Sequence, residues 1–136
     1  MVGCSIKCKD KIIVFKDCGN SKCEMRFLNP NKREVSKIRV DGCKITQGKK
    51  CDFMLLTDTE ENYIEIKGKG VLYACEQIEE TIKQLSVDPQ NQPKNSFFVS
   101  TGTPKVNGNI QILKKKFKKS YSSSLKIQTR KCEFAI

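Results

Sequence analysis

The chain has 136 residues, the size of a single domain, and its 38% hydrophobic and 30% charged residues are ordinary for a soluble globular protein. It contains no histidine, which excludes Ser-His-Asp and Cys-His nucleophile systems, imidazole-based ribonuclease chemistry and zinc sites with a histidine ligand. Hydrolytic chemistry in this protein would therefore have to use carboxylates, lysine and a hard metal ion.

The net charge of +11 is concentrated towards the C-terminus. Residues 1–93 contain 16 Lys and Arg against 14 Asp and Glu, whereas residues 94–136 contain 10 against one. This polarity indicates a polyanionic partner, with nucleic acid and an anionic membrane surface as the candidates. Because no apolar run approaches the roughly 20 residues that span a bilayer, and residues 1–7 lack the apolar stretch of a secretory signal, we predict a cytoplasmic protein without a membrane partner.

The predicted elements of the N-terminal half are short strands. Residues 11–15 are β-branched and apolar, and residues 37–40 alternate apolar and basic side chains, so both predict strands. Residues 29–31, Asn-Pro-Asn, mark a turn between them. Residues 51–56 predict a buried strand and residues 63–67 a strictly alternating one. The short polar connection between these two favours an antiparallel hairpin.

Two helices are predicted in the C-terminal half. Residues 71–85 carry apolar side chains at three- and four-residue intervals, beginning with Leu72, and residues 110–121 repeat this pattern among lysines. Residues 96–100 predict a buried strand, and residues 125–134 predict one closing strand. The order of elements predicts an α/β fold with a mixed central β-sheet flanked by helices.

The eight cysteines have three alternative roles, as disulfides, metal ligands or core residues; they are Cys4, Cys8, Cys18, Cys23, Cys43, Cys51, Cys75 and Cys132. Disulfides are not expected in a reducing cytosol. Cys75 and Cys132 fall in a helical and a strand pattern, and we predict that they fill the core. A structural Zn²⁺ site is an alternative for the N-terminal set, although its spacings contain no Cys-x-x-Cys; its ligands would be Cys4, Cys8, Cys18 and Cys23.

Charged side chains on the predicted hairpin form the candidate site. Glu65 and Lys67 lie two residues apart and should leave the same face of their strand, whereas Ile64 and Ile66 should point into the core. Asp52 begins the preceding strand, and the antiparallel return can bring its carboxylate beside Glu65. Two carboxylates can bind Mg²⁺ or Mn²⁺ through oxygen, and a lysine can position the attacking water. This arrangement suits phosphodiester hydrolysis.

The segment Cys51-Asp52-Phe53-Met54-Leu55-Leu56, followed by Tyr63-Ile64-Glu65-Ile66-Lys67, resembles the PD-(D/E)XK nuclease motif, an Asp and a Glu-x-Lys on consecutive strands. The resemblance implies one nuclease domain over residues 1–136, with a restriction-endonuclease-like core at 36–136 and a cysteine-containing N-terminal extension at 1–35. The core of this family consists of a helix, three strands, a helix and a strand. The resemblance further implies that Asp52, Glu65 and the carbonyl of Ile66 bind the catalytic Mg²⁺ or Mn²⁺ and that Lys67 assists the water.

Three features qualify the match to this family. Gln77, on the helix after the motif, corresponds to a glutamine that assists the site in some members. Cys51 replaces the motif's proline, which concerns turn geometry more than chemistry. The family's first helix carries an acidic residue, for which Glu24 and Glu34 are the candidates, while Asp41 is a competing acid that suits the turn before Gly42.

Lysines near the motif and on the second helix are predicted to contact phosphate; they are Lys44, Lys49, Lys50, Lys114, Lys115, Lys118 and Lys119. The helix has five lysines in residues 114–119 and no acid within reach to relieve their repulsion. We therefore predict an endonuclease acting on DNA, which needs a homodimer to cut both strands.

Two other functions remain open on the sequence. The first is a catalytically inactive nucleic-acid-binding module on the same fold. The second is a basic protein that binds RNA, the ribosome or an acidic partner. In the second case the Glu-x-Lys match is accidental, and Glu65 and Lys67 form a solvated strand face with a surface salt bridge.

Overall fold

A computed structural model describes residues 3–16, 22–67, 70–102 and 109–136. Within these ranges the chain forms, in order, β1 (Ser5–Cys8), β2 (Ile12–Lys16), β3 (Glu24–Leu28), β4 (Val35–Arg39), β5 (Phe53–Leu56), β6 (Glu61–Ile66), α1 (Val71–Leu85), β7 (Lys94–Ser100), α2 (Asn109–Tyr121), β8 (Ser123–Thr129) and β9 (Lys131–Ala135). The predicted mixed α/β class is confirmed. Neither helix is long and apolar enough to cross a membrane.

The main sheet is mixed and has six strands in the order β1-β4-β5-β6-β7-β8. In this sheet β1, β4, β5 and β6 are each antiparallel to the next strand in the order, whereas β6, β7 and β8 run parallel. Parallel neighbours need crossover connections, and α1 and α2 lie in those two connections. Both helices pack on one face of this sheet. The prediction that helices flank the sheet is therefore met on one face only.

The core beneath the helices is built from the helix-facing side chains of the sheet. Tyr63 of β6 is fully buried there among Ile78 and Ile82 of α1 and Phe117 of α2. Leu72, which the sequence placed on the apolar face of α1, is 58% exposed. The buried face of this helix therefore does not include Leu72, whereas Val71 beside it packs against the core.

The opposite face of the main sheet is covered by a second, three-stranded sheet in the order β2-β3-β9. Ile64 and Ile66 point into this second core, as predicted, where Phe27 of β3 and Phe97 of β7 meet edge to face with ring centroids 5.5 Å apart. Because β6 alternates, its Ile64 and Ile66 serve this core while Tyr63 and Glu65 face the helices.

The single closing strand predicted for residues 125–134 was wrong. The chain turns at Arg130, which has a positive φ of 64°, so β8 pairs with β7 in the main sheet and β9 pairs with β3 in the second. Arg130 is hydrogen-bonded to a strand of each sheet: its N–H donates to the carbonyl of Ser100 in β7, and its carbonyl accepts from the N–H of Glu24 in β3. Long-range pairing therefore divides a segment that looks continuous in sequence.

Two cysteine predictions have clear outcomes. Cys75 and Cys132 are buried core residues, as predicted. Cys4 and Cys43 form a disulfide, so the expectation of wholly reduced cysteines was wrong. This bond takes Cys4 out of the alternative Zn²⁺ ligand set, and Cys18 of that set lies outside the described residues.

Candidate active site

Asp52 and Glu65 come together at one end of the main sheet. The β5–β6 register pairs Phe53 with Ile64, which places Asp52 opposite the end of β6. The N–H of Asp52 donates to the carbonyl of Ile64 at 3.1 Å, and its Oδ2 accepts a hydrogen bond from the N–H of Ile66 at 2.8 Å. The hairpin therefore sets the two carboxylates side by side, as its short connection indicated.

Glu65 carries a buried carboxyl group, and the residue is only 4% exposed. Its Oε1 has no hydrogen-bond partner. Burial, and next the charge of Asp52, raise the pKa of Glu65 to about 9. A solvated strand face with a surface salt bridge is therefore wrong for Glu65.

Helix α1 forms two hydrogen bonds with the backbone that leads into Asp52. Gln77 Nε2 donates to the carbonyl of Lys50 at 3.0 Å, and the N–H of Cys51 donates to Thr81 Oγ1 at 2.8 Å. Thr81 Oγ1 in turn donates to the carbonyl of Gln77 at 2.8 Å. The Oε1 of Gln77 is buried without a partner. Thr81 was missed from the sequence, where it stands between the apolar positions 78 and 82.

Lys67 follows the end of β6 and departs from the predicted geometry. The strand ends at Ile66, and Lys67 adopts a positive φ of 61° while its N–H donates to the carbonyl of Val99 at 2.8 Å. Its side chain is exposed. The alternation argument that put Glu65 and Lys67 on one face does not apply past Ile66, because the backbone is no longer extended there.

The lysines that precede β5 differ in their surroundings. Lys49 Nζ pairs with Glu76 at 3.3 Å and lies 5.5 Å from the ring centroid of Tyr73. Lys50 Nζ lies 3.8 Å from the carboxylate of Asp41, whereas Lys44 is exposed. The structure therefore places carboxylates beside two of these three predicted phosphate contacts.

Helix α2 exposes all five of its lysines: Lys114, Lys115, Lys116, Lys118 and Lys119. Lys116 also pairs with Glu79 of α1 at 3.2 Å. The prediction that no acid lies within reach of this cluster was therefore wrong, because the acid comes from the neighbouring helix.

The donor set at the Asp52–Glu65 pair fits a hard cation. Among the residues that the structure describes, no group of three or more His, Cys, Asp or Glu side chains is arranged to hold a metal ion. However, Mg²⁺ is commonly bound by one or two carboxylates, with waters and substrate phosphate completing its coordination. The unpartnered oxygens of Glu65 and Gln77 are both potential ligands, and a cation would supply the partner that the protein does not.

Comparison with known proteins finds no relative. No family model matches the chain, and neither a curated protein nor a solved structure matches it. The chain is a mixed α/β protein in which the buried Glu65 and the half-buried Asp52 meet at one end of the main sheet.

Proposed function

We propose that the protein is a Mg²⁺- or Mn²⁺-dependent endonuclease that hydrolyses phosphodiester bonds in DNA on a restriction-endonuclease-like core. The observation that carries this proposal is the burial of Glu65 against Asp52 with one carboxylate oxygen left unpartnered. An uncompensated buried polar group costs free energy, and such groups are found most often where they serve binding or catalysis.

The order of elements around the pair supports the proposal. The antiparallel strands β4, β5 and β6 are followed by α1 and by β7, parallel to β6. This is the succession of three strands, a helix and a strand that the PD-(D/E)XK resemblance implies. The described residues ahead of β4 form strands where the family has its first helix. Glu24 pairs with Arg26 and Glu34 with Lys7, so neither candidate takes that helix's acidic position.

Each residue then has a defined task. Asp52, Glu65 and the carbonyl of Ile66 would hold the cation, with Gln77 Oε1 as a further oxygen. A bound divalent cation would neutralise charge that develops on the phosphate. Lys67, exposed at the end of β6, would orient the attacking water, and the exposed lysines of α2 would hold the phosphate backbone.

A cleavage panel tests the activity. Duplex, branched and single-stranded DNA and RNA are incubated with the parent protein in Mg²⁺, Mn²⁺ or EDTA. We expect cleavage only with metal, and a loss of at least about 100-fold in Asp52→Asn, Glu65→Gln and Lys67→Met. The matched control is Asp58→Asn, an exposed acid in the turn at the far end of the hairpin, which should cut like the parent.

Thermal unfolding tests the metal site independently of activity. Glu65→Gln should be more stable than the parent at pH 7 in EDTA. Burial and Asp52 raise the pKa of Glu65 to about 9, so the parent must take up a proton on folding, whereas the amide is already neutral. Mg²⁺ should stabilise only the parent. Lack of cleavage together with equal Mg²⁺ stabilisation of both proteins would sink the proposal. Metal-independent nucleic-acid binding without any cleavage would identify an inactive binding module instead. A homodimer is expected for double-strand cutting, and sedimentation on DNA tests it.

A further inference from the structure

A cavity of about 250 Å³ lies between the main and second sheets, where β1 and β4 meet β2. Phe15 and Phe53 line it with ring centroids 5.1 Å apart, and Ile6 lines it while remaining 68% exposed. Pockets for whole drug-sized ligands span about 300–1,000 Å³. A slightly smaller apolar cavity suits a single planar ring system. We call it the ring pocket.

The ring pocket is rimmed by positive charge. Lys16, Lys37 and Arg39 line it, and no carboxylate does among the residues that the structure describes. Lys37 Nζ is held 5.3 Å from the ring centroid of Phe15 and donates to the carbonyl of Val14 at 3.4 Å. Lys16 and Arg39 are exposed. An apolar interior with cations at its rim is complementary to an aromatic ring that carries a phosphate.

The ring pocket lies at the same end of the main sheet as the carboxylate pair. Arg39 pairs with Phe53 across β4 and β5, and Phe53 directly follows Asp52. Phe53 faces the second sheet. Met54 lies on the opposite face of the main sheet, together with the other residues that face the helices. The two sites therefore lie at one end of the sheet on opposite faces, and a nucleic-acid strand would have to pass around this end to contact both.

We propose that the ring pocket binds one unpaired nucleotide of a nucleic-acid strand. The base packs against Phe53 and Ile6, and the flanking phosphates contact Lys16 and Arg39. This inference rests on the proposed function, since it takes nucleic acid as the ligand. It narrows the substrate to nucleic acid with an unpaired segment beside the cleaved bond, as opposed to continuous duplex.

A binding experiment tests the pocket without cleavage. Single-stranded DNA and RNA oligonucleotides that carry 2-aminopurine, and the matching duplexes, are titrated with the full chain in EDTA. The parent should quench the fluorescence of the single strands. Ile6→Ser should weaken their binding about three- to tenfold, less than the loss of a full aromatic stacking partner, and leave the duplexes unchanged. The matched control is Ile12→Ser, a 51% exposed isoleucine on β2 outside the pocket.

A charge variant tests the rim. Arg39→Gln should lower the slope of log affinity against log salt by about one, whereas Lys83→Gln on the exposed face of α1 should not. The inference is overturned if the parent does not quench, if Ile6→Ser binds single strands like Ile12→Ser, or if duplex binding falls equally. Intact quenching without cleavage would count against the nuclease proposal alone. Cleavage with unaltered Ile6→Ser binding would count against the ring pocket alone.

Discussion

Two side chains of α1, the hydroxyl of Thr81 and the amide of Gln77, fix the backbone that leads into Asp52. Thr81 is fully buried and is both acceptor for the N–H of Cys51 and donor to the carbonyl of Gln77. Gln77 holds the carbonyl of Lys50 through its amide nitrogen. A backbone segment bound at two consecutive residues has little freedom to move. The position of the Asp52 carboxylate therefore depends on residues that are far away in sequence.

Thr81→Val tests this arrangement, because it keeps the shape of the side chain and removes the hydroxyl. The buried N–H of Cys51 then lacks an acceptor, which should cost about 1–3 kcal/mol in the free energy of unfolding, and a displaced Asp52 should slow metal-dependent cleavage. Urea unfolding and cleavage assays measure the two effects. Thr81→Ser retains the hydroxyl and should keep most of the cleavage rate. Equal stability and rate in the two variants would contradict the assignment.

At the scale of elements, α2 presents a basic surface whose members are not equivalent. Lys114 and Lys116 are both exposed, and Lys116 pairs with Glu79 at 3.2 Å. Part of the charge of Lys116 is already compensated, and its side chain is directed towards α1. Phosphate contact is therefore expected chiefly from the other four lysines of this helix.

Lys114→Gln and Lys116→Gln form a matched pair of variants on this helix. Lys114→Gln should weaken DNA binding and lower the salt slope by close to one, because one phosphate contact is lost. Lys116→Gln should change the slope less. Fluorescence anisotropy at several salt concentrations measures both slopes. Identical slopes for the two variants would show that α2 does not contact phosphate as proposed.

The disulfide between Cys4 and Cys43 joins the segment before β1 to the loop between β4 and β5. It closes a loop with a sequence separation of 39 residues, and a cross-link of this length restricts the unfolded chain enough to stabilise a protein by about 2–4 kcal/mol. The edge strand β1, whose residues are mostly exposed, depends on this bond and on its pairing with β4.

Cys43→Ser should therefore lower the free energy of unfolding by about 2–4 kcal/mol relative to the oxidised parent. Urea unfolding with and without a reductant measures the change. The reductant should bring the parent to the stability of the variant and leave the variant unaffected. A variant as stable as the oxidised parent would mean that the cross-link does not contribute.

At the scale of the whole molecule, two cores share one sheet. The helix-side core contains Cys75, and the core beneath the second sheet contains Cys132. Burial raises the pKa of the Cys75 thiol to about 12 and also raises the pKa of Cys132. Both thiols are therefore protonated at pH 8 and unreactive while the protein is folded, because the thiolate is the nucleophile.

Alkylation with iodoacetamide at pH 8 in increasing urea, read by mass spectrometry of peptides, reports on both cores. Since β4, β5 and β6 contribute side chains to each core, we expect Cys75 and Cys132 to become reactive at the same urea concentration, as in a single cooperative unit. Cys8, which is half-buried, should react before unfolding and serves as an internal control. Earlier reaction of Cys132 would show that the second sheet unfolds separately.

The sequence alone predicted the elements whose pattern is local. Helix α1 has the predicted bounds of 71–85, and Asp52 meets Glu65 because a short connection forces their strands to pair. The direction of Ile64 and Ile66 into a core also followed from the alternation of β6. These features depend on periodicity and short-range chain geometry, which a single sequence contains.

Only the tertiary structure decided what depends on distant partners. Three features join residues that are far apart in the chain. They are the break at Arg130, the second sheet that covers Ile64 and Ile66, and the hydrogen bond from the N–H of Cys51 to Thr81. Lys67 also leaves the predicted strand conformation because of a distant partner, since its N–H donates to the carbonyl of Val99 on β7. Local periodicity specifies which face of an element is apolar, but packing and long-range hydrogen bonds select what covers that face.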